Sequence, residues 1–357
     1  MKRIKRNPER FEVIDLFTAM GREHGYKLDV DEDADDFMKR ISRSLKSSQE
    51  NPNVLHGKRV ESLFAHVAGA LGNCKLIKQE DTGDTYSTKQ NIQVPDYKVI
   101  LKDGSQYFIE VKNCHLPNIK SPYTFNKAYI EKLENYTELH SIPLLFAIYF
   151  SRHNKWFLLP KSSLTEKNNK YVTDFLNALA KNEMSLLGDR TIGTEPDLAI
   201  ELIADTSKDA SINQNGLAKF TIGDVKLYCA GHEIPDKLEK SIAFYLIRFG
   251  NWNEQEPEVI YKDEDLIGVR FTYSPDFPRE EQKFSMIGEL SSMISASYSE
   301  LTTYERSVVA LDTNLDPTVF SVEIPNGYTG INLPLWQFIM QPNPDFKANK
   351  ANAHGKI

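Results

Sequence analysis

The sequence predicts an α/β protein in which a mixed sheet is flanked by helices, with a helical segment ahead of it and an α+β domain behind. Apolar side chains at helical spacing mark the first 71 residues. Strand-like runs around a tight-turn dipeptide follow at 94–112. A further helical stretch and two apolar runs then complete the order α-β-β-α-β-β.

Taken in order, residues 8–23 carry Phe11, Ile14, Leu16, Phe17 and Met20, and residues 33–46 carry Phe37, Ile41 and Leu45, both near the period of a helix. The polar stretch 47–53, with Pro52, separates them from a third helix at 58–71 that stops at Gly72-Asn73. Asp103-Gly104 tolerates the positive φ of a hairpin turn and splits 94–112 into two strands. A helix at 124–139, the apolar run 143–150 and a strand at 155–160 around Trp156 come next. Beyond the polar segment 205–215 lie strands near 218–229, a helix at 236–249, a hairpin near 258–273, a helix near 280–303 and an apolar stretch at 333–338. The expected domains are a helical N-terminal segment at 1–55, the mixed-sheet domain at 56–205 and the α+β domain at 206–346. Residues 347–357, rich in Lys, Asn and Ala, are expected to form a disordered tail.

A chain of 357 residues suits two domains, each with its own core. No run approaches the roughly 18 uninterrupted apolar residues that span a bilayer. Asn7-Pro8-Glu9-Arg10 stands where a signal peptide would place its apolar region. Cys74, Cys114 and Cys229 are widely spaced and form neither a disulfide framework nor a zinc-ligand pair. The expectation is a soluble cytoplasmic protein without a membrane partner. A net charge of −7 argues against a surface that coats nucleic acid, while leaving room for a local basic groove or a metal-bridged phosphate contact. There is no Gly-x-x-x-x-Gly-Lys-Ser/Thr loop, so the chain is not expected to hydrolyse nucleoside triphosphates.

The chemistry concentrates at Pro95-Asp96 and, after thirteen intervening residues, Glu110-Val111-Lys112. Strand side chains alternate, so Glu110 and Lys112 share one face, and the hairpin folds Asp96 back beside Glu110. Two carboxylates then meet one lysine. Carboxylate oxygens with a backbone carbonyl suit a hard divalent cation, so Asp96, Glu110 and the Val111 carbonyl are the expected ligands of Mg²⁺, with Mn²⁺ able to replace it. Lys112 is expected to position or help deprotonate an attacking water in phosphodiester hydrolysis.

At these residues the sequence resembles the PD-(D/E)XK superfamily, which includes restriction endonucleases, Holliday junction resolvases and repair nucleases. The resemblance runs from about His56 to Pro160 and implies a restriction-endonuclease-like fold. It also implies a fourth acidic group from the preceding helix, a place that Glu61 fills. Glu61 shares its helix face with Ala65, Ala68, Gly69 and Gly72, small residues expected to let the helix lie close to the sheet. The implied function is that of a metal-dependent endonuclease acting on DNA more than RNA, in defence against foreign DNA or in repair. A homodimer or a partner protein held by the C-terminal domain is a further expectation. The rival function is a non-catalytic scaffold that keeps the fold.

Pro-Asp by itself means little, since it also occurs at Asp197, Asp236, Asp276 and Asp345. A second, looser match, Asp197 with Asp224-Val225-Lys226, has a polar loop where the hairpin should be. The acidic run 29–36 lacks the glycine and closing glutamate of a calcium loop and reads as a solvated helix start. His115 reads as an ordinary polar residue and Asn113 as either a strand cap or a substrate contact. Lys127 and Lys132 are candidate phosphate contacts, and Tyr129, Leu133 and Tyr136 have core spacing.

Overall fold

The computed structural model describes residues 1–4, 8–213, 216–263, 265–277, 281–325 and 327–347. The Phe11 side chain and residues 348–357, which make up most of the tail expected to be disordered, lie outside the described residues. The backbone divides into two compact units.

The first unit comprises Met1–Gly188 with Tyr298–Thr318 and the C-terminal segment. Its opening helices are α1 (Pro8–His24), α2 (Asp31–Gln49) and α3 (Pro52–Leu71). The acidic run is indeed the first turn of α2, where Asp31, Glu32 and Asp33 face the positive end of the helix dipole. Helix α3 begins six residues before its expected start. The Asn51 side chain accepts from the Asn53 and Val54 N–H groups, and Pro52 occupies the first turn, so the residues read as a breaker are a start signal. Gly72 closes the helix at φ 84°.

The sheet that follows has the order β1-β2-β3-β5-β6, formed by β1 (Cys74–Gln79), β2 (Tyr97–Leu101), β3 (Gln106–Cys114), β5 (Leu144–Phe150) and β6 (Lys155–Pro160). A short β4 (Tyr123–Asn126) and helix α4 (Lys127–His140) connect β3 to β5. That crossover makes β3 and β5 parallel; the other pairs are antiparallel. The fold class is therefore the expected mixed α/β sheet flanked by helices. Two details differ from the sequence expectation. Strand β1 was not anticipated, and residues 124–126 belong to β4, with Asn126 capping α4.

The core between the sheet and α4 holds Phe108, Ile130, Leu133, Phe146, Ile148 and Phe157, so even-numbered residues of β3 face α4. On the other side, the Phe64 ring of α3 meets Tyr97 and Trp156. Helix α3 lies against the sheet as expected, but Gly69 has a different role from the one expected of it. A Cβ built on Gly69 would lie 2.8 Å from Pro317 Cβ, so that glycine admits the 298–318 segment and not the sheet. The same segment is tied to α3 by Arg59, which donates to Thr302 Oγ1 and Ser299 Oγ, and by His66 against Asp312 at 2.9 Å.

The second unit comprises Asp189–Ser297 and Val319–Met340. Strand Leu198–Ala204 pairs with Ile222–Cys229 and Asp265–Ser274, and Thr191–Thr194 pairs with Ser285–Glu289 and Leu335–Phe338. These strands begin within 56–205 yet find all these partners beyond residue 220, which draws the division at Gly188. The helix expected near 280–303 starts at Leu290, because Ser285–Glu289 is spent on a strand. Among the described residues, no helix is long and apolar enough to cross a membrane.

Candidate active site

Register places the site. Tyr97 pairs with Ile109, so one step further Asp96 stands opposite Glu110 on the face toward α4. The turn that allows this passes through Gly104 at φ 93°, a conformation open to glycine and costly for a residue with a Cβ. Asp96 Oδ2 accepts the Val111 N–H at 2.7 Å, which locks the carboxylate to the strand that carries Glu110 and Lys112. The sequence therefore brings Asp96, Glu110, Val111 and Lys112 together as expected.

Glu110 is 2% exposed. Its Oε1 accepts from both the Lys112 ammonium and the Tyr129 hydroxyl, while Oε2 is buried with no hydrogen-bond partner. Lys112 also lies over the Tyr129 ring, 5.1 Å from its centre. Asp96 is 9% exposed, and burial, followed by the Glu110 charge beside it, pushes its carboxyl well above the ordinary carboxylate range. Burial, then the same Glu110 charge, raises the Tyr129 hydroxyl as well.

Glu61 reaches the cluster from α3. Carboxylate oxygens of Glu61, Asp81 and Asp96 all lie within 4.8 Å of one another. Lys58 caps this group, with Nζ 2.6 Å from Glu61 and 3.7 Å from Asp81. Asp81 was not anticipated, and nothing in its local sequence marks it. It arrives through β1: Gln79 pairs with Tyr97, the Glu80 N–H donates to the Asp96 carbonyl at 2.9 Å, and Asp81 follows. The Tyr97 hydroxyl donates to the Glu61 carbonyl at 3.1 Å and fixes α3 over the strand.

The donor set fits a hard divalent cation. The Glu110 Oε2 atom, buried without a partner, and the raised Asp96 carboxyl beside it would both be stabilised by a bound cation. The carboxylates gathered here, Glu61, Asp81 and Asp96, offer oxygen donors, which suit a hard cation.

Tyr129 corrects the sequence expectation. Its ring packs against the core as predicted, but its hydroxyl belongs to the site, whereas Leu133 and Tyr136 are packing residues. A tyrosine in the first turn of the helix after the lysine, with one polar end to satisfy, is the signal that could have found it. His115 stands apart, its Nδ1 2.9 Å from Ser151 Oγ. Asn113 Oδ1 is buried without a partner. Lys127 is tied to Glu166 at 2.5 Å. The looser second match does not assemble. Leu198 pairs with Cys229 and Ile203 with Asp224, so Asp197 and Asp224 sit at opposite ends of a strand pair, about 20 Å apart at ~3.4 Å per residue.

No protein-family model matches the sequence, and a search of curated proteins finds no similar chain. Among solved structures, the chain is similar to a Holliday junction resolvase from Archaeoglobus fulgidus, an archaeal hyperthermophile. The match has 17% identity and a TM-score of 0.23, and it covers 31% of this chain and 82% of that one.

Proposed function

We propose that the protein is a metal-dependent nuclease of the PD-(D/E)XK type that hydrolyses phosphodiester bonds, with DNA as its substrate. The observation that carries this is Glu110: a carboxylate 2% exposed, facing a second carboxylate, with one oxygen left without a donor. Such an arrangement costs folding free energy, and a scaffold that merely keeps the fold has no use for it. A cation-assisted active site does.

Asp96, Glu110 and the Val111 carbonyl would hold Mg²⁺, or Mn²⁺ in its place, and Glu61 and Asp81 would complete the acidic surround. When bound, the ion supplies the Lewis-acid charge that a phosphoryl transition state requires. The chain's own groups do the rest. Lys112, oriented by Glu110 and the Tyr129 ring, points an ammonium at the reacting centre, where it aligns a water or a phosphate oxygen. Tyr129 holds Glu110 in place through its hydroxyl. The Val111 N–H does the same for Asp96.

Defence against foreign DNA or repair is the proposed setting, in the cytoplasm. The second unit is proposed to bind a second copy or a partner protein. The test is incubation of the purified chain with supercoiled plasmid, linear duplex, single-stranded DNA and RNA in Mg²⁺, Mn²⁺ or EDTA. Cutting of DNA in Mg²⁺ or Mn²⁺ and none in EDTA is expected. Cutting that persists in EDTA, or that is confined to RNA, contradicts the proposal.

A further inference from the structure

On the α4 side of Lys112 the surface opens into a groove of about 610 Å³, lined by Gln93, Lys112, Tyr123, Asn126, Tyr129 and Lys132 with their neighbours. Whatever occupies it lies beside the reacting centre. No lining residue is a carboxylate, in a chain whose net charge is −7. With Lys112 paired to Glu110, the uncompensated charge of the lining is the Lys132 ammonium, which favours an anion.

Lys132 singles itself out. Lys127 is held by Glu166 at 2.5 Å and Lys161 by Glu134 at 2.6 Å, whereas Lys132 makes no ion pair among the described residues. Its ammonium is available to a phosphate. The groove is also pre-formed: the Gln93 N–H donates to the Lys132 carbonyl at 3.0 Å, tying the loop before Asp96 to α4. Tyr123, packed edge-on against Phe125 at 5.1 Å, adds an aromatic wall. The open groove has room for one nucleotide-sized group, its volume falling within the ~300–1,000 Å³ of small-ligand sites. A base stacks on an aromatic wall only when it is out of the duplex, so Tyr123 favours an unpaired strand.

We propose that this groove is a nucleotide subsite for a single strand. It holds the nucleotide next to the scissile phosphate, with that nucleotide's own phosphate on Lys132 and its base against the ring of Tyr123. The inference rests on the nuclease reading of Asp96, Glu110 and Lys112, and it adds that the strand must be unpaired where it crosses α4.

The test measures binding of a fluorescein-labelled thymidine dodecamer by anisotropy in Ca²⁺ across a range of salt, with the recovered oligonucleotide checked for length. Wild type, Lys132→Ala, Tyr123→Leu and, as a control on α2, Lys46→Ala are compared, with melting curves to confirm folding. Lys132→Ala is expected to weaken binding by about fivefold or more and to lower the log–log salt slope by about 0.7, the value for one phosphate contact on a single strand. Tyr123→Leu is expected to weaken binding without changing that slope. A self-complementary duplex of the same length is expected to bind more weakly than the single strand. If wild type binds the dodecamer while Lys132→Ala matches it in affinity and slope, the subsite is wrong and the nuclease reading stands. If wild type binds neither oligonucleotide, both fall.

Discussion

Replacing Asp96 by asparagine should stabilise the metal-free protein while abolishing its activity. Residues directly opposite on antiparallel strands hold their Cβ atoms about 5 Å apart. Two like charges at about 5 Å cost about 3 kcal/mol at an effective dielectric near 20. Asparagine removes that repulsion against Glu110 while Glu110 keeps its own Lys112 and Tyr129 partners. It also turns the Val111 N–H bond from a charged into a neutral one, a loss of about 1–2 kcal/mol. The net expectation is a gain of about 1–2 kcal/mol, or roughly 2–8 °C in the melting point of a unit this size. The assay is thermal melting in EDTA at pH 9, above the raised titration of Asp96. Saturating Mg²⁺ then gives the control: at a hundredfold excess over Kd, wild type gains about 2.7 kcal/mol and the variant does not follow. An Asp96→Asn protein that melts below wild type in EDTA would show that Asp96 is a satisfied structural carboxylate, and the functional argument built on the facing pair would fail.

Tyr129→Phe keeps the ring and removes the hydroxyl that holds Glu110, so kcat on a DNA substrate should fall by about tenfold or more with a melting point within a few degrees of wild type. Asp81→Asn should weaken Mn²⁺ binding, measured by calorimetry, by about tenfold, because one of three converging carboxylates is lost. Gly69→Ala drives a Cβ to 2.8 Å from Pro317 Cβ and should cost about 1–3 kcal/mol in urea unfolding, recovered in part by adding Pro317→Ala. At Asp312, burial raises the carboxyl, but the His66 hydrogen bond, the Thr313 N–H and the Arg3 charge outweigh it and bring the pKa down to about 2. A depressed carboxyl stabilises above its unfolded value and loses that contribution as pH falls, so stability should drop between about pH 4 and pH 2, by roughly 2 kcal/mol at most. Asp312→Asn should flatten that acid limb.

What the sequence revealed and what it hid follow from the range of the interactions. The hairpin was legible because Asp103-Gly104 and the alternation on either side of it are local, and once the hairpin exists the juxtaposition of Asp96 and Glu110 is arithmetic. The β3–α4–β5 crossover was legible for the same reason. Strand β1 was not, because four of its six residues are exposed and its lysines, Lys75 and Lys78, hide the alternation an edge strand shows only weakly. Asp81 depends on that unseen strand, so it could not be found. Tyr129 was half seen: the helical period places its ring in the core and says nothing of where the hydroxyl ends. The domain division was hidden because Thr191–Thr194 and Leu198–Ala204 choose partners far along the chain, which no local pattern reports.

The most direct test of the central claim is the single-turnover rate of cleavage of single-stranded DNA in Mg²⁺ by wild type and by Lys112→Ala. The account predicts cutting by wild type and a loss of at least about a hundredfold in the variant, whose fold is retained. Equal rates for the two proteins would contradict it and remove Asp96, Glu110 and Lys112 as the active site.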